Sequence, residues 1–342
     1  MSAGDFLCKD AATPLCEHYT AAGAVCSFST NWEPILEAAR HCFLPIETAP
    51  VSVDLSVRFW VDYANSTQPP WPKPYVRGLD HLVFAGFDSG SSMLADLRTR
   101  RVIGRFSAGI ANDRTYWETV IFPMLLSVLG GSVGITELHC ACVAKDEVGL
   151  LLAGPSGSGK STLSVALSQT GFGFLSDDRT FCSQSGGKML AWGLPTRLKL
   201  RREAGAWFRQ VRDWQPTDLQ KGELVYWLEP ERSLGLERVR RCEPRTVIFL
   251  EQVKGLEFHL AQVSCDEAMK RLDRDLMADL PEAVVKQTKT ITKLVEIPCW
   301  LLKYGGEPLT VARKIADHFE TCCLTNRTAV RREENPSAMA PV

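Results

Sequence analysis

Apolar and polar residues alternate in the first part of the chain as they do in β-strands. Between residues 51 and 61 every odd-numbered position is apolar, and Trp60 is the one apolar residue among the others. This pattern predicts a half-buried strand of an antiparallel sheet. Shorter strands are predicted at residues 81–87 and 102–106, after a proline-rich loop at residues 69–74. The chain therefore begins with a β-rich module.

A strongly apolar helix is predicted to follow these strands. Asn112 or Asp113 is placed to cap it, and Pro123 is expected to kink it. Its apolar face predicts burial against the next domain, and Gly130 with Gly131 is expected to end it. No apolar run approaches the length of a membrane span, so we expect no membrane partner.

The second part of the chain begins with a strand, a glycine-rich loop and a helix. An apolar run at residues 148–153 has the character of a buried strand. After the loop, Leu163, Ala166 and Leu167 recur at helical spacing, and Gly171 stands where a helix commonly ends. Further elements are predicted downstream: strands at residues 246–250 and 295–302, and helices at residues 266–280 and 309–319. This order of elements indicates an α/β fold.

These patterns divide the chain into four parts of different character. They are, in order, a weakly ordered N-terminus (residues 1–27), a β-rich module with its connecting helix (28–130), an α/β domain (131–326) and a disordered tail (327–342). The tail is polar and shows no periodicity, which is typical of segments that cannot bury an apolar core. We therefore expect the chemistry to lie in the α/β domain.

The glycine-rich loop matches G-x-x-x-x-G-K-[ST], the pattern of a phosphate-binding loop. The residues assigned to nucleotide binding are Gly154, Pro155, Ser156, Gly157, Ser158, Gly159, Lys160, Ser161 and Thr162. The glycines let backbone N–H groups close around phosphate oxygens, and Lys160 supplies a charge for the β- and γ-phosphates. The Ser161 hydroxyl is placed to ligate Mg²⁺. A flexible linker would not explain a strand before the loop and a helix after it, so the loop predicts nucleotide binding.

Two adjacent acids, Asp177 and Asp178, follow the short strand that is predicted after the loop helix. In a parallel α/β sheet this strand end faces the same crevice as the loop, so one carboxylate is expected near a metal and the other near a substrate. Close like charges also raise one pKa, which suits a group that accepts a proton. His139 precedes the strand that leads into the loop, and taken alone it would more often be structural.

Composition adds few constraints. A net charge of −1, with 45% apolar and 23% charged residues, is ordinary for a soluble globular protein and gives no basic field for nucleic acid. The N-terminus lacks the basic and apolar regions of a signal peptide, so we expect the 12 cysteines to stay reduced in the cytoplasm. The close pair Cys140 and Cys142 lacks zinc-site spacing and is expected to pack as small hydrophobes on one side of a strand.

Three segments together resemble the kinase domain of the HPr kinase/phosphorylase family, and more closely its broad group of HPr-kinase-like bacterial proteins. They are Leu138-His139, the loop at residues 154–162, and Gly-Phe-Gly-Phe-Leu-Ser-Asp-Asp-Arg at residues 171–179. His139 precedes Lys160 by 21 positions, and the two aspartates follow it by 17 and 18, spacings that suit the family pattern. A weaker likeness to the closing element of these proteins lies at residues 295–304 with the glycines after them.

The resemblance implies a P-loop kinase domain at residues 131–326, with a fold related to phosphoenolpyruvate carboxykinase. It also implies ATP and Mg²⁺ as cofactors and phosphorylation of a serine hydroxyl. By position, Lys160 would stabilise the transferred phosphoryl group and Asp177 would be the general base. Ser161 and Asp178 would hold Mg²⁺, while His139 would polarise the base or a phosphate. Because the family is hexameric, the resemblance favours a homo-oligomer.

Two departures separate the chain from true HPr kinases. Thr162 stands where those enzymes carry an acidic residue. No Glu-Ile-Arg-Gly-like stretch follows the aspartates, and the corresponding residues 191–196 read Ala-Trp-Gly-Leu-Pro-Thr. The resemblance therefore does not extend to HPr as the substrate or to the reverse phosphorolysis.

Three functions stay open on the sequence alone. The favoured one is an ATP-dependent kinase of a serine-type hydroxyl in a protein or peptide, because the loop, the acid pair and His139 occur together. The second keeps this chemistry with a small hydroxylated metabolite or a free amino acid as the acceptor. The third is a nucleotide-binding regulatory protein with little catalysis, in which the β-rich module binds a partner.

Overall fold

The computed structural model describes residues 12–62, 68–212, 214–215, 218–220, 223–272 and 281–324. These residues form two large β-sheets, a small third sheet and covering helices, which together make a mixed α/β protein. The predicted tail at residues 327–342 lies outside the described residues, as do residues 1–11 of the N-terminus that was predicted to be weakly ordered.

Eight strands form the first sheet. They are β1 (Leu15–Ala21), β2 (Ala24–Thr30), β3 (Leu44–Pro45), β4 (Leu55–Asp62), β5 (Tyr75–Leu79), β6 (Leu82–Gly86), β7 (Ser92–Asp96) and β8 (Arg101–Ser107). Their order across the sheet is β3-β1-β2-β4-β8-β7-β6-β5. β4 pairs in parallel with β2 and β8, whereas the other neighbours are antiparallel. Helix α1 (Glu33–Cys42) lies between β2 and β3 in the chain and buries one face against the sheet.

Two predictions for this module are corrected by the structure. The segment predicted to be weakly ordered contains β1 and β2, whose alternate side chains, including Tyr19 and Phe28, are buried in the core. The strand predicted at residues 51–61 begins only at Leu55, since Val51 is fully exposed. It is also parallel to both neighbours, β2 and β8. The connection from β2 contains α1, as the crossover between parallel strands commonly does.

A helical segment connects the two large sheets. It consists of α2 (Ala108–Asn112), α3 (Arg114–Tyr116), a π-helical turn (Trp117–Ile121) and α4 (Phe122–Val133). Asp113 caps α3, as one of the two predicted caps, by accepting a hydrogen bond from the Tyr116 N–H at 3.0 Å. The predicted end at Gly130 and Gly131 is wrong, since both lie inside α4. A Cβ on Gly131 would stand 3.1 Å from that of Ala283, so the glycine allows a close approach.

The helix Arg114–Val133 has 20 residues and contains an 18-residue window with a mean hydropathy of 1.3, so by length and composition alone it is long and apolar enough to cross a membrane. This corrects the expectation that no apolar run approaches such a length. Within the protein, however, 56% of its most apolar window is buried, and Trp117, Ile121 and Phe122 belong to the core under the first sheet. A core helix has the same properties.

Twelve further strands follow in the chain. They are β9 (Thr136–Leu138), β10 (Cys140–Lys145), β11 (Val148–Ala153), β12 (Gly173–Ser176), β13 (Thr180–Ser185), β14 (Lys188–Trp192), β15 (Leu198–Arg201), β16 (Asp218–Gln220), β17 (Glu223–Leu228), β18 (Arg241–Gln252), β19 (Phe258–Gln262) and β20 (Cys299–Tyr304). The second sheet follows the path β12-β10-β11-β18-β14-β13-β9, with β20 beside β18 and β19 beside β20. The third sheet is β15-β17-β16.

Five α-helices lie among the described residues of this second part of the chain. They are α5 (Lys160–Ser168), α6 (Pro230–Leu234), α7 (Cys265–Leu272), α8 (Pro281–Val295) and α9 (Pro308–Phe319). The predicted helix at residues 266–280 corresponds to α7 as far as Leu272, and its last residues lie outside the described ranges. The predicted strand at residues 295–302 begins later, at Cys299, because Val295 is the last residue of α8.

The cysteines of the second sheet pack into its core. Cys140, Cys142, Cys182 and Cys242 are all buried in one apolar cluster, as the sequence predicted for the first two. Among the described residues, no group of three or more His, Cys, Asp and Glu side chains is arranged to hold a metal ion.

One edge of the second sheet positions the candidate site. β11 is parallel to β18, and β18 to β20, so their carboxyl ends lie at the same edge. β10 is antiparallel to both β11 and β12, which brings its first residue and the end of β12 to that edge as well. The loop after β11, His139 before β10 and the acids after β12 therefore meet there, although the sheet is mixed rather than parallel.

Candidate active site

The loop between β11 and α5 has a backbone that glycine adopts most readily. Gly154, Gly157 and Gly159 have φ values of 152°, 85° and 93°. α5 begins at Lys160, directly after the last of these glycines. The unpaired N–H groups of the first helical turn therefore open toward the loop, as they do in sites that bind phosphate.

One buried polar atom of the loop lacks a partner among the described residues. Ser158 is 5% exposed, and its hydroxyl makes no hydrogen bond there. The carbonyl oxygen of the same residue is fixed, because it accepts a hydrogen bond from Tyr304 Oη at 2.7 Å. A buried hydroxyl without a partner is destabilising, and a phosphate oxygen in the loop would supply one. The loop thus fits a nucleotide phosphate.

Lys160, His139 and Asp178 form a hydrogen-bonded chain across this edge. Lys160 Nζ lies 3.2 Å from His139 Nε2 and donates to the Gly154 carbonyl oxygen at 2.7 Å. The other ring nitrogen, His139 Nδ1, lies 3.1 Å from Asp178 Oδ1. Because an ammonium group has only protons to donate, Nε2 accepts and Nδ1 carries the proton that Asp178 accepts. The structure brings these three predicted residues together.

Asp177 occupies the buried side of the acid pair. It is 6% exposed, and its Oδ2 accepts hydrogen bonds from Ser161 Oγ and from the Lys199 N–H, both at 3.3 Å. Burial, and then the negative charge of Asp178, raise the pKa of Asp177 to about 7. The side chain of Asp178 is 58% exposed. The pair therefore separates into a buried acid beside Ser161 and an exposed acid beside His139.

We expect Asp177→Asn to stabilise the ligand-free protein, and more so at high pH. Folding raises the pKa of Asp177 from 3.8 to about 7, so stability falls as the pH rises through this interval. Asparagine has the same shape and never ionises, so the variant escapes a loss of about 3 to 4 kcal/mol at pH 8. Urea unfolding at pH 5 and pH 8 measures the effect. An equal free-energy difference between variant and wild type at both pH values would contradict it.

Ser161 Oγ and Asp177 Oδ2 are spaced to share one divalent ion. Neighbouring oxygen ligands of octahedral Mg²⁺ lie about 3 Å apart, given Mg–O distances of about 2.1 Å. The two oxygens here are 3.3 Å apart. The sequence assigned Ser161 and Asp178 to the metal, whereas the structure places Asp177 in contact with Ser161 and leaves Asp178 with His139.

These groups open on a cleft of about 1630 Å³. Typical small-molecule sites occupy about 300 to 1,000 Å³, so the cleft has room for a nucleotide and a second ligand. The other loop residues that line it include Ser156 and Thr162, and Thr115 and Thr119 from the helical segment line it as well. The cleft is therefore lined by the connecting helical segment as well as by the second part of the chain.

Two residues that support the phosphate loop, Gln252 and Tyr304, were not predicted from the sequence. Besides its bond to Ser158, Tyr304 Oη accepts a hydrogen bond from Gln252 Nε2 at 3.4 Å. Gln252 and Tyr304 are the paired last residues of β18 and β20. Both strands were predicted in part. Ligands commonly bind at the carboxyl ends of parallel strands, and this rule could have pointed to these two residues.

Comparisons with known proteins show a distant similarity to solved structures. No family model matches the chain, and no curated protein matches it. Among solved structures, the chain is similar to that of the HPr(Ser) kinase/phosphatase from Coxiella burnetii, with 15% sequence identity and a TM-score of 0.28. The match covers 53% of this chain and 95% of that one. A TM-score of this size decides neither the fold nor the activity, so the function has to be inferred from the site.

Proposed function

We propose that the protein is an ATP-dependent kinase that transfers the γ-phosphoryl group to a serine-type hydroxyl of a protein or peptide. The observation that carries the proposal is that three groups of residues lie together at one edge of the second sheet. They are the loop with Lys160, the contact between Ser161 and Asp177, and the contact between His139 and Asp178. Phosphoryl transfer to an alcohol needs a phosphate cradle, a metal site and a carboxylate that accepts the hydroxyl proton. A protein that only binds nucleotide needs the first alone.

ATP and Mg²⁺ fit the groups that the site presents. When bound, Mg²⁺ supplies positive charge at the phosphate oxygens. The loop glycines and the first turn of α5 would hold the phosphates through backbone N–H groups, and Ser158 Oγ would donate the hydrogen bond that it lacks. Lys160 would exchange its contact with the Gly154 carbonyl oxygen for the transferred phosphoryl group.

The resemblance implies that Asp177 is the base and that Asp178 holds the metal, and the contacts favour the opposite assignment. Asp177 would hold the metal together with Ser161, because their oxygens are spaced as neighbouring ligands. Asp178 would accept the proton of the acceptor hydroxyl, because it is exposed to the cleft and His139 Nδ1 orients it. Lys160 fixes the tautomer of His139 and so indirectly the position of this base.

Two asparagine variants test the proposal and the order of the acids. Asp178→Asn should lower phosphoryl transfer about 100-fold without changing the Mg²⁺ concentration that gives half the maximal rate. Asp177→Asn should raise that concentration about tenfold or more, because a metal contact is lost. Transfer from labelled ATP to serine peptides, titrated with Mg²⁺, measures both. The opposite pattern would restore the roles that the resemblance implies. Undiminished transfer by both variants would exclude the roles proposed for the two acids, and no transfer by a wild-type protein that binds nucleotide would exclude the kinase function.

A small hydroxylated metabolite or a free amino acid is the second candidate acceptor, because the cleft is lined both by the connecting helical segment and by the second part of the chain and can surround such a molecule. ADP release over serine peptides, hydroxy amino acids and hydroxylated metabolites separates the two candidates. Nucleotide binding without turnover on every acceptor would favour the regulatory function instead.

A further inference from the structure

The chain that enters the third sheet presents three cations in a row to the cleft. Between residues 197 and 201, basic residues alternate with leucines. Leu198 and Leu200 are buried in the apolar core, with exposures of 0% and 1%, so the basic side chains lie on the opposite face. Arg197, Lys199 and Arg201, the cationic row, all line the cleft. Alternate residues of a strand are about 6.6 Å apart, so the row spans about 13 Å.

The cationic row extends from the phosphate loop past Asp177. At its inner end, Arg201 Nη1 stands 3.4 Å from the point that a Cβ on Gly157 would occupy, so this guanidinium lies over the phosphate loop. In the middle, the Lys199 N–H donates to Asp177. At the outer end, Arg197 is exposed and makes no hydrogen bond or ion pair with another described residue. The outer cation is therefore available to a ligand.

The part of the cleft beyond the phosphate loop and the acid pair, here called the outer part, is lined by the connecting helical segment and by the second part of the chain. Phe181 in β13 and Leu194, two residues after β14, line it, and both belong to the apolar core under the first sheet. Thr119 and Val120 line it from the π-helical turn of the connecting segment. Such turns are rare and often occur at functional sites. Beyond the acid pair, the cleft thus offers apolar side chains and the guanidinium of Arg197, which has no partner among the described residues.

We propose that this outer part binds the phosphoryl acceptor, and that Arg197 pairs with a carboxylate or phosphate group that the acceptor carries near its hydroxyl. The inference rests on the kinase function proposed above. Nucleotide phosphates meet Lys160 and Arg201 at the loop, which leaves Arg197, two positions beyond the residue that contacts Asp177, for a second anion. The planar fork of a guanidinium binds both anions through paired hydrogen bonds.

The spacing of the row sets where the negative charge lies on the acceptor. One repeat of about 6.6 Å corresponds to two residues of an extended peptide. In a peptide, the acidic side chain is therefore expected about two residues from the serine. A small acceptor would carry its anionic group within about one such repeat, about 6.6 Å, of its hydroxyl.

Matched acceptors test this inference. Peptides of equal length carry one serine flanked by glutamates or by alanines, and glycerate is compared with glycerol as a small acid and its neutral counterpart. For the wild type, we expect kcat/KM to be about tenfold higher for at least one acidic acceptor than for its neutral partner. Arg197→Gln should remove most of this preference by raising KM for the acidic acceptor. The affinity for a fluorescent ATP analogue should stay unchanged. Arg202→Gln, at an exposed arginine that does not line the cleft, should leave the preference intact.

The outcomes distinguish the two proposals. A preference confined to the peptides identifies an acidic segment as the source of the anion, and one confined to glycerate identifies a small molecule. Equal kcat/KM for acidic and neutral acceptors would overturn the role of Arg197 and leave the kinase function standing. A loss of nucleotide affinity in Arg197→Gln would also overturn it. No transfer to any acceptor by a protein that binds nucleotide would overturn the kinase function and this inference with it.

Discussion

Replacing Lys160 with methionine is expected to lower phosphoryl transfer by about 1,000-fold or more, the largest effect of any single side chain in the site. Lys160 is 7% exposed, and its ammonium lies between the Gly154 carbonyl oxygen and His139. A buried, fixed charge stabilises the transferred group far more than a solvated one. Methionine preserves the apolar stem and removes only the charge and its hydrogen bonds.

The measurement is single-turnover transfer from labelled ATP at saturating nucleotide. Lys188→Met is the matched control, because the side chain of Lys188 is 67% exposed and its nearest acidic partner, Glu243, is 3.9 Å away. We expect the control to transfer at the wild-type rate and both variants to unfold at similar temperatures. A Lys160→Met protein that keeps its fold and more than a tenth of the wild-type rate would show that the ammonium does not act on the phosphoryl group.

The strand, loop and helix around Lys160 were predictable because local rules specify them. The loop needs glycine where φ is positive, the strand before it is a continuous apolar run, and the helix after it repeats at helical spacing. The acids were predictable as a pair for the same reason, since they follow a short buried strand. Their meeting with Lys160 also needed the antiparallel β10, which the sequence pattern did not indicate.

The roles of the two acids were not predictable from local sequence. Adjacent residues point in different directions, and which of them is buried depends on a distant segment. Here the Lys199 N–H, 22 positions later in the chain, bonds to Asp177 and leaves Asp178 exposed. The parallel pairing of β4 escaped prediction in the same way, since alternation reports one buried face and not the direction of the neighbouring strands.

Substituting Gly159 with alanine is expected to weaken nucleotide binding by about 100-fold or more. The residue has a φ of 93°, and its Cβ would lie 2.0 Å from Tyr304 Oη and 3.0 Å from Gln252 Nε2. Backbone strain and overpacking each cost about 1 to 3 kcal/mol, and both fall on the phosphate loop. Gly171→Ala is the matched control, because its φ is 98° and no atom lies within 4 Å of its Cβ position. Titration with a fluorescent ATP analogue should show normal affinity for the control.

A second substitution separates the clash from the backbone strain. Tyr304→Phe removes the oxygen at 2.0 Å and leaves the ring carbon Cζ, which is 3.4 Å from the alanine methyl position. By itself it should weaken binding only several-fold, because it removes the hydrogen bond to the Ser158 carbonyl oxygen. Combined with Gly159→Ala, it should restore about tenfold of the lost affinity, since the two changes meet at one contact and are not additive. Strictly additive losses would mean that β20 does not brace the loop and that the strain at Gly159 alone sets the affinity.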